Sequence, residues 1–454
     1  MKLTVIGGGG VRSLFLAKSI AQKAEALQID TLVLMDNNKQ KLRTYGKMAK
    51  RTAYLLAPSM CVELTSDAIA AVRDADYVIT TIREGGDEMR VKDERIALSH
   101  GVLGQETTGA AGFSFAMRSV YVLKEYCELI KKYSKPDCKV FNFTNPAGVV
   151  SQTLRDMGYD FTYGICDAPS GMLRSFAKLY GKEEDSATGE LYGLNHLSYF
   201  TSVTIDGEEM LQELIENEDA YQKTDMRYFE KQLLRERHAI LNEYLYYFYY
   251  SEKALANIQR AEMTRGEQIA AINKAMTEAL SGVDIDNDFE KALAIFEYWY
   301  GQRENNYMAS ETGVVRKNKF HFDLYQKDSG GYAGVALKFM EIAQSGQQGT
   351  MILCTVNNGA LPFLNDSDVV EITCDIVNGE AIPHCFSNVD EQNAELVRRV
   401  KMYERLASQA LCEKNRQKAV EALTLHPLVN SYSLATALID EYLSLNQDYT
   451  QDWR

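Results

Sequence analysis

A cysteine and a histidine form a pair that could bind a transition metal. The segment GICDAPSG places Cys166 beside Asp167 at the end of a predicted strand, and GLNHLSYF places His196 30 residues later. Thiolate and imidazole groups are suitable ligands for Mn, Fe, Co, Ni or Zn. A buried cysteine and an unrelated core histidine would give the same pattern, so the spacing alone leaves both interpretations open.

A run of tyrosines could supply one acid–base group. The segment LNEYLYYFYYSEKAL contains five of them, namely Tyr244, Tyr246, Tyr247, Tyr249 and Tyr250. At helical spacing most of these side chains must pack in a core or an interface. We therefore expect at most one of them to take part in chemistry.

The glycine-rich stretch near the start of the chain could hold a dinucleotide. Gly7 and Gly9 occupy the first two glycine positions of the strand–turn–helix fingerprint, where they allow a tight turn and a close approach of backbone to pyrophosphate. The third position holds Arg12, so the fingerprint is incomplete. Asp36 ends the next predicted strand, where a carboxylate favours NAD over NADP. The alternative is a glycine turn without a nucleotide.

Residues 80–119 contain a cluster of cations in an acidic protein. The cluster comprises Arg83, Arg90, Lys92 and Arg95, and Glu106 follows them among glycines and threonines. The formal net charge is −14, so an anionic ligand would need such a local concentration of positive charge. A solvated charged loop is the alternative. In NFTNPAG, Asn145 precedes a proline at another strand end, where it could be only a turn residue.

These residues lie on a pattern of alternating strands and helices. KLTVI, TLVLMD, DADYVITTI, CKVFNFTNPAG and YDFTYGICD are predicted strands, and helical patterns separate them. This alternation predicts an α/β fold with a parallel, doubly wound, Rossmann-like sheet. It fades near residue 170, so we predict a dinucleotide-binding domain over 1–170 and a mixed α+β domain over 171–454. The second domain combines long helical patterns, such as residues 254–276, with two strand-like segments, and its last 60 residues are predicted to be helical.

Composition limits the classes of partner. The net charge argues against binding to nucleic acid or to an anionic membrane, and no apolar run is long enough to span a bilayer. The first residues predict a strand rather than a signal peptide. The eight scattered cysteines include no CxxC pair, which indicates a reduced, cytoplasmic protein.

Taken together, the segments resemble glycoside hydrolase family 4, and specifically its 6-phospho-glucosidases. The matching stretches follow the family order over nearly the whole chain, and they are VIGGGG, REGGDEMRVKDERIALSHGVLGQETTGAAG, NFTNPAGVV, GICDAPSG, GLNHLSYF, EYLYYFYY, VNNGALPFL and LTLHPLV. The resemblance implies a lactate/malate-dehydrogenase-like fold, NAD and a divalent metal such as Mn²⁺ as cofactors, and a phosphorylated glucoside as substrate. It also implies a homodimer or homotetramer.

The resemblance also implies a role for individual residues. It makes Cys166 and His196 metal ligands, and Tyr244 the base that removes the proton at C2 of the sugar. It makes Glu106 the carboxylate that tunes this base and Asp167 a candidate acid, which favours α-linked substrates. The remaining implied contacts are Arg90, Asn145 and Arg265 to the substrate and Gly7, Gly9, Asp36 and Arg83 to the cofactor.

The chain also departs from the family pattern, and one other function fits part of it. Ala110 and Ala111 lie in GAAG where the family has GPGG, and Tyr246 replaces a usual Arg or Gln, so the substrate preference is open. The alternative function is an NAD-dependent 2-hydroxy-acid dehydrogenase. In such an enzyme His196 would be a base paired with an aspartate, and Cys166 and Tyr244 would have no role.

Overall fold

The computed structural model describes residues 1–316, 320–327 and 333–454. Its strands are β1 (Lys2–Ile6), β2 (Thr31–Met35), β3 (Cys61–Thr65), β4 (Tyr77–Thr80), β5 (Lys139–Asn142), β6 (Thr162–Gly164), β7 (Ala187–Leu194), β8 (Leu197–Ile205), β9 (Glu208–Glu209), β10 (Ile240–Leu241), β11 (Gly349–Val356), β12 (Val369–Val377) and β13 (Glu380–Pro383).

The α-helices are α1 (Ser13–Lys23), α2 (Lys39–Lys41), α3 (Lys47–Leu56), α4 (Ala68–Val72), α5 (Gly86–Ser99), α6 (Gly109–Tyr133), α7 (Ala147–Asp156), α8 (Ala168–Leu179), α9 (Leu211–Glu216), α10 (Glu218–Lys223), α11 (Lys231–Arg237), α12 (Tyr246–Tyr249), α13 (Ser251–Arg260), α14 (Arg265–Leu280), α15 (Phe289–Asn305), α16 (Ala309–Thr312), α17 (Gly334–Ser345), α18 (Glu391–Glu413), α19 (Arg416–Leu425), α20 (Tyr432–Leu445) and α21 (Gln447–Thr450). A π-helical turn covers Leu42–Gly46, and 3₁₀ turns cover Glu184–Ser186, Asp225–Tyr228 and Glu243–Leu245.

A nine-stranded sheet forms the centre of the molecule. Its order is β13-β12-β11-β6-β5-β4-β1-β2-β3, and the strands from β1 to β6 pair in parallel. Apart from the edge strand β3, these strands are short, largely apolar runs that are mostly buried, as expected when helices cover both faces of a parallel sheet. The predicted α/β class and the predicted strands are confirmed.

The sheet extends beyond the predicted domain boundary. β11 pairs antiparallel with β6 through Cys354 and Gly164, and β12 and β13 add two more antiparallel strands. The division at residue 170 stays a prediction, although the large sheet contains strands from both sides of it. A second, smaller sheet of β7, β8, β9 and β10 lies in the C-terminal part.

Two features of the C-terminal part bear on the predictions. The last 60 residues are largely helical, as predicted, in α18 to α21. The helical pattern over 254–276 is present as two helices, α13 and α14, which are separated at residues 261–264. Thr264 caps the second helix, where its side chain accepts from Glu267 N and Glu267 accepts in return from Thr264 N. This capping box stabilises a new helix start inside the apolar periodicity.

Within the described residues, no helix combines the length and the apolar character needed to cross a lipid bilayer.

A buried ion pair joins helices α5, α6 and α20. Arg118 donates to Asp93, with a nitrogen–oxygen distance of 3.2 Å to Oδ1 and a shorter bond of 2.5 Å to Oδ2. Arg118 also donates to Asn446, directly after α20. Both charged side chains are almost completely buried. Removal of one partner would therefore leave an uncompensated charge in the core.

We expect Asp93→Ala to lower the free energy of unfolding by about 3–5 kcal/mol, because Arg118 would lose its buried counterion. Glu88→Ala is the matched control, since Glu88 pairs with Lys92 on the exposed face of the same helix. Its effect should stay within about 0.5 kcal/mol. Denaturant unfolding of both variants checks this, and equal effects would contradict the assigned importance of the buried pair.

Candidate functional site

A polar cavity of about 490 Å³ opens beyond the carboxyl ends of β5 and β6. This is the edge at which doubly wound sheets bind ligands. Nine of the twelve predicted site residues line it, namely Arg83, Arg90, Glu106, Asn145, Cys166, Asp167, His196, Tyr244 and Arg265. Residues that lie up to about 180 positions apart in the chain therefore share one space.

Cys166 and His196 face each other across this cavity. Cys166 lies in the turn between β6 and α8, and His196 lies in the two-residue turn between β7 and β8 with a positive φ of 63°. The Cys166 Sγ and His196 Nε2 atoms are 3.6 Å apart. In zinc sites, bonds of about 2.3 Å to sulfur and about 2.1 Å to nitrogen place two tetrahedral ligands about 3.6 Å apart. The two atoms therefore fit a common metal ion.

The electrostatic state of the histidine suits a ligand. Burial lowers the pKa of His196 to about 4, so its imidazole is neutral and keeps a free lone pair. Burial raises the pKa of Cys166, so a metal would have to displace its proton. Within the described residues, no group of three or more His, Cys, Asp or Glu could hold a metal, so this chain offers two ligands and leaves other positions open.

Tyr244 stacks on the proposed metal ligand. Its ring lies parallel to the His196 ring at a centroid distance of 3.9 Å, with an interplanar angle of 10°. Its hydroxyl lies 3.3 Å from the Tyr307 hydroxyl, which in turn lies 3.2 Å from Glu243 Oε1. Of the five tyrosines in the run, two line the cavity, Tyr244 and Tyr247. Burial and the Glu243 carboxylate raise its pKa well above the usual range.

Sequence reasoning missed Tyr307 and Glu243. Tyr307 follows α15 in a segment that carries no motif. Glu243 directly precedes Tyr244, but no role was predicted for it. Burial, with help from Asp225, raises the pKa of Glu243 to about 8. The adjacent glutamate was a signal in the sequence, but nothing there indicated that Tyr307 would reach it.

Glu106 is held among arginines. It accepts from Arg83, and its Oε1 lies 3.1 Å from an Arg90 nitrogen. Burial would raise the pKa of Glu106, but Arg83 and Arg90 outweigh it and hold the pKa well below the usual range. Arg90 also donates to Glu94 at 2.9 Å. Glu106 is thus an ionised carboxylate, and its charge contributes to the raised pKa of Tyr244 after burial and Glu243.

Arg265 presents unsatisfied donors to the cavity. One terminal nitrogen donates to the Arg303 carbonyl at 2.9 Å, whereas the other is buried with no hydrogen-bond partner among the described residues. Burial, together with the neighbouring charges of Arg303 and Arg90, lowers the pKa of Arg265. This concentration of positive charge suits an anion. Arg303 and Arg316 also line the cavity, and sequence reasoning missed both.

The glycine turn lies beside the cavity. Gly7 has a positive φ of 98°, and a Cβ there would lie 2.4 Å from the Thr81 carbonyl oxygen, so only glycine fits. Gly9 N donates to Asp36 Oδ2 at 3.1 Å. A Cβ on Gly9 would come within 2.9 Å of that carboxylate oxygen. Arg12, at the third glycine position, lines the cavity, so the turn leads directly into the site.

Asp167 has the properties of a proton donor. It lines the cavity immediately after Cys166. Burial raises the pKa of Asp167, and this effect exceeds the opposing influence of Arg12. A raised pKa keeps more of the carboxyl group protonated, as a general acid requires.

Two family models match the chain. The model described as "Family 4 glycosyl hydrolase" matches residues 2–182, and the model described as "Family 4 glycosyl hydrolase C-terminal domain" matches residues 191–429. Together they cover most of the chain, including all the residues named here that line the cavity.

Curated relatives and a solved structure show the same similarity. The chain is 28% identical to "6-phospho-beta-glucosidase BglT" of Thermotoga maritima over 99% of this chain and 100% of that protein. It is 26% identical to "Phospho-alpha-glucosidase PagL" of Clostridium acetobutylicum over 98% of both chains. A structure of the Thermotoga maritima 6-phospho-beta glucosidase with manganese, NAD⁺ and glucose-6-phosphate has a TM-score of 0.81 and 26% identity, with 99% of each chain covered.

We expect Cys166→Ser and His196→Ala each to weaken Mn²⁺ binding by more than the roughly 10–100-fold that loss of an outer-shell partner causes. Each variant removes one of two ligand atoms that lie 3.6 Å apart. Titration calorimetry with Mn²⁺ measures the affinity, and circular dichroism confirms the fold. Cys412→Ser is the matched control because Cys412 is exposed. Unchanged affinity in the first two variants would refute the metal site.

Proposed function

Since the chain belongs to glycosyl hydrolase family 4, we propose that it hydrolyses 6-phospho-glucosides with NAD and a divalent metal, Mn²⁺, as cofactors. The observation that carries this proposal is the contact of His196 with both Cys166 and Tyr244 in a cavity that Arg265, with its unpaired buried nitrogen, also lines. The relatives named above act on phosphorylated glucosides of both anomers. The structure related to this chain binds manganese, NAD⁺ and glucose-6-phosphate.

Each proposed cofactor fits residues of this chain. Cys166 Sγ and His196 Nε2 would hold the metal, as argued from their separation. Gly7 and Gly9 would let the backbone approach the pyrophosphate of NAD, and Asp36 would accept from the ribose hydroxyls. Arg83, at the cavity edge, would contact the cofactor from the opposite side. When bound, the nicotinamide supplies a reversible hydride acceptor for C3 and the divalent ion a Lewis acid beside the sugar.

Tyr244 would remove the proton at C2. The C2 hydrogen of a sugar is far too weakly acidic for a side chain unless C3 is at the carbonyl level. The stacking of Tyr244 on His196 holds its hydroxyl close to the metal ligands. Tyrosine is a poor base at neutral pH, and burial makes the metal-free phenol poorer still. A nearby divalent charge would reverse that shift and favour tyrosinate.

The remaining residues would act on the leaving group and the phosphate. Asp167 would protonate the glycosidic oxygen as it leaves, which its raised pKa permits. Arg265 and Arg90 would bind the phosphate, and Asn145 would contact the sugar. After elimination, water would add across the C1–C2 double bond, and NAD, held at the glycine turn, would supply the hydride for C3. The net reaction is hydrolysis with NAD recycled.

The geometry does not support a 2-hydroxy-acid dehydrogenase. Such an enzyme needs an aspartate that orients the catalytic histidine. Among the described residues, His196 Nδ1 has no hydrogen-bond partner, and Nε2 faces the Cys166 sulfur. The family match over both parts of the chain points the same way.

We further propose that the enzyme works in the cytoplasm as a homodimer or homotetramer that binds neither nucleic acid nor a membrane. All eight cysteines are free, which suits a reducing compartment. The formal net charge of −14 opposes binding to polyanions. Light scattering coupled to size exclusion tests the oligomeric state.

The direct test of function is release of p-nitrophenol from 6-phosphorylated nitrophenyl glucosides of both anomers, with and without NAD and Mn²⁺. We expect activity only with both cofactors, and a preference for the α-anomer because Asp167 can protonate the leaving group. Full activity without NAD would refute the proposed reaction. Activity on the β-anomer alone would show that Asp167 does not determine the anomer.

We expect Arg265→Ala to lower kcat/KM for the phosphorylated glucoside roughly 10- to 150-fold, because charge-assisted hydrogen bonds to phosphate are lost. This factor corresponds to about 1.5–3 kcal/mol of lost transition-state stabilisation. The low activity on the unphosphorylated glucoside should change little. Arg95→Ala is the matched control, since Arg95 pairs with Glu267 outside the cavity. Equal losses on both substrates would mean that Arg265 does not bind the phosphate.

The fate of the C2 hydrogen tests the reaction route. A substrate with deuterium at C2 should give glucose 6-phosphate in which part of that deuterium has exchanged with solvent, because Tyr244 removes it before water adds. NADH should not accumulate over many turnovers, since each hydride returns to C3. Mass spectrometry and absorbance at the NADH band measure these quantities. Complete retention of deuterium in an active enzyme would exclude the route, and stoichiometric NADH would indicate net oxidation.

A further inference from the structure

A buried glutamate lies behind the proposed metal ligands, outside the cavity. Glu371 is on β12 and is 1% exposed. Its Oε1 accepts from Asn195 Nδ2 at 3.0 Å, and its Oε2 accepts from Ser198 Oγ at 2.8 Å. Among the described residues it forms no salt bridge. A buried carboxylate without a paired cation is costly, so its hydrogen bonds must be well formed to keep it there.

One arm of this network fixes the turn that carries His196. Asn195 directly precedes His196 in the turn between β7 and β8, and His196 has a left-handed backbone that is unfavourable for most residues other than glycine. The bond from Asn195 to Glu371 ties this turn to β12, a strand of the large sheet. The bond from Ser198 ties the start of β8 to the same carboxylate.

The other arm reaches Tyr244. Asn242 Nδ2 lies 3.4 Å from Ser198 Oγ, and Asn242 N donates to the Ser198 carbonyl at 3.0 Å. Asn242 Oδ1 in turn accepts from Tyr244 N at 3.0 Å. Asn242 thereby caps the 3₁₀ turn that presents the Tyr244 ring. A continuous path of hydrogen bonds therefore runs from Glu371 through Ser198 and Asn242 to the backbone of Tyr244.

We propose that Glu371 is a positioning residue that holds the His196 turn and the Tyr244 turn in register, so that the ring of Tyr244 stays stacked on the metal-ligating imidazole. This inference rests on the proposed function for the roles of His196 and Tyr244. Glu371, Ser198 and Asn242 do not line the cavity, so they act through their neighbours. Such outer hydrogen bonds orient metal ligands in other metalloproteins and contribute to metal affinity.

The test compares Glu371→Ala with Glu371→Gln. Alanine removes both bonds. Glutamine can still accept from Asn195 and can donate to Ser198 Oγ, so it should restore most of the lost function. We expect the alanine variant to bind Mn²⁺ roughly 10–100-fold more weakly and the glutamine variant to bind it nearly normally. A glutamine variant as weak as the alanine variant would show that the charge of Glu371 matters rather than its bonds, and would overturn the proposal.

Hydrogen exchange provides a readout that needs neither metal nor substrate. In Glu371→Ala, amides of residues 194–198 and of residues 242–247 should exchange faster, and in Glu371→Gln both segments should remain protected. Ser198→Ala keeps the bond between Glu371 and Asn195 and the backbone bond from Asn242 N to the Ser198 carbonyl, but it removes the side-chain link from Glu371 to Asn242. It should therefore affect residues 242–247 more strongly than residues 194–198. If Glu371→Ala does not fold, Ser198→Ala carries the test alone.

A matched control separates local positioning from general destabilisation. Asn393→Ala removes another buried side-chain hydrogen bond, to Tyr192, away from the cavity. It should leave the exchange of both segments unchanged. Unchanged exchange in both Glu371→Ala and Ser198→Ala would overturn the positioning role even if the enzyme proves to be a 6-phospho-glucosidase. Absence of Mn²⁺ binding in the unmodified protein would instead count against the proposed function, and the exchange data would still decide the role of Glu371.

Discussion

The approach of Cys166 to His196 is the constraint on which the rest of the site depends. The cysteine follows a parallel strand of the large sheet, and the histidine lies in a hairpin of the smaller one, so their side chains can be 3.6 Å apart only because the two sheets meet here. Glu371, on a strand of the large sheet, hydrogen-bonds to that hairpin from behind. The ring of Tyr244 stacks on the imidazole of this histidine. The proposed metal ligands, the proposed base and the junction of the two sheets therefore belong to the same packing arrangement.

The charge distribution separates the two halves of the proposed chemistry. The chain is acidic, yet the cavity contains Arg83, Arg90, Arg265 and other cations, and the Glu106 carboxylate lies between Arg83 and Arg90. Glu106 satisfies Arg83 and Arg90, whereas Arg265 keeps a buried nitrogen without a partner in the described part of the chain. This Arg265 nitrogen can therefore donate hydrogen bonds to an anionic ligand. In the proposed function the cation cluster binds the phosphate, while Cys166 and His196, whose side chains carry no positive charge, hold the metal.

Much of this arrangement could be predicted from local sequence. The strand–helix alternation gave the parallel sheet, and the motifs that follow strands marked Cys166, Asp167 and Asn145, because the ends of parallel strands meet at one edge. Contacts between distant segments could not be predicted. Tyr307 has no motif, and its contact with Tyr244 depends on how the chain returns after α15. Glu371 is one of two acidic residues in β12, together with Asp375, and a single sequence does not show that this end of the strand lies behind the histidine turn. The break at Thr264 was missed because the apolar periodicity continues across a capping box.

The same sheet edge could have supported ordinary oxidation, and the position of the histidine explains why hydrolysis is the better proposal. A dehydrogenase base must take a proton from a hydroxyl group, so its imidazole is held by a carboxylate and left free to titrate. Burial instead keeps the imidazole of His196 neutral, with a sulfur facing one nitrogen and an aromatic ring stacked on its face. An imidazole in that state is suited to bind a metal, and the proposed proton transfer is therefore assigned to Tyr244, which stacks on it. If the base removes a proton from C2 rather than from a hydroxyl group, oxidation at C3 would serve to acidify the C2 proton. The hydride would then have to return to C3 to complete the catalytic cycle.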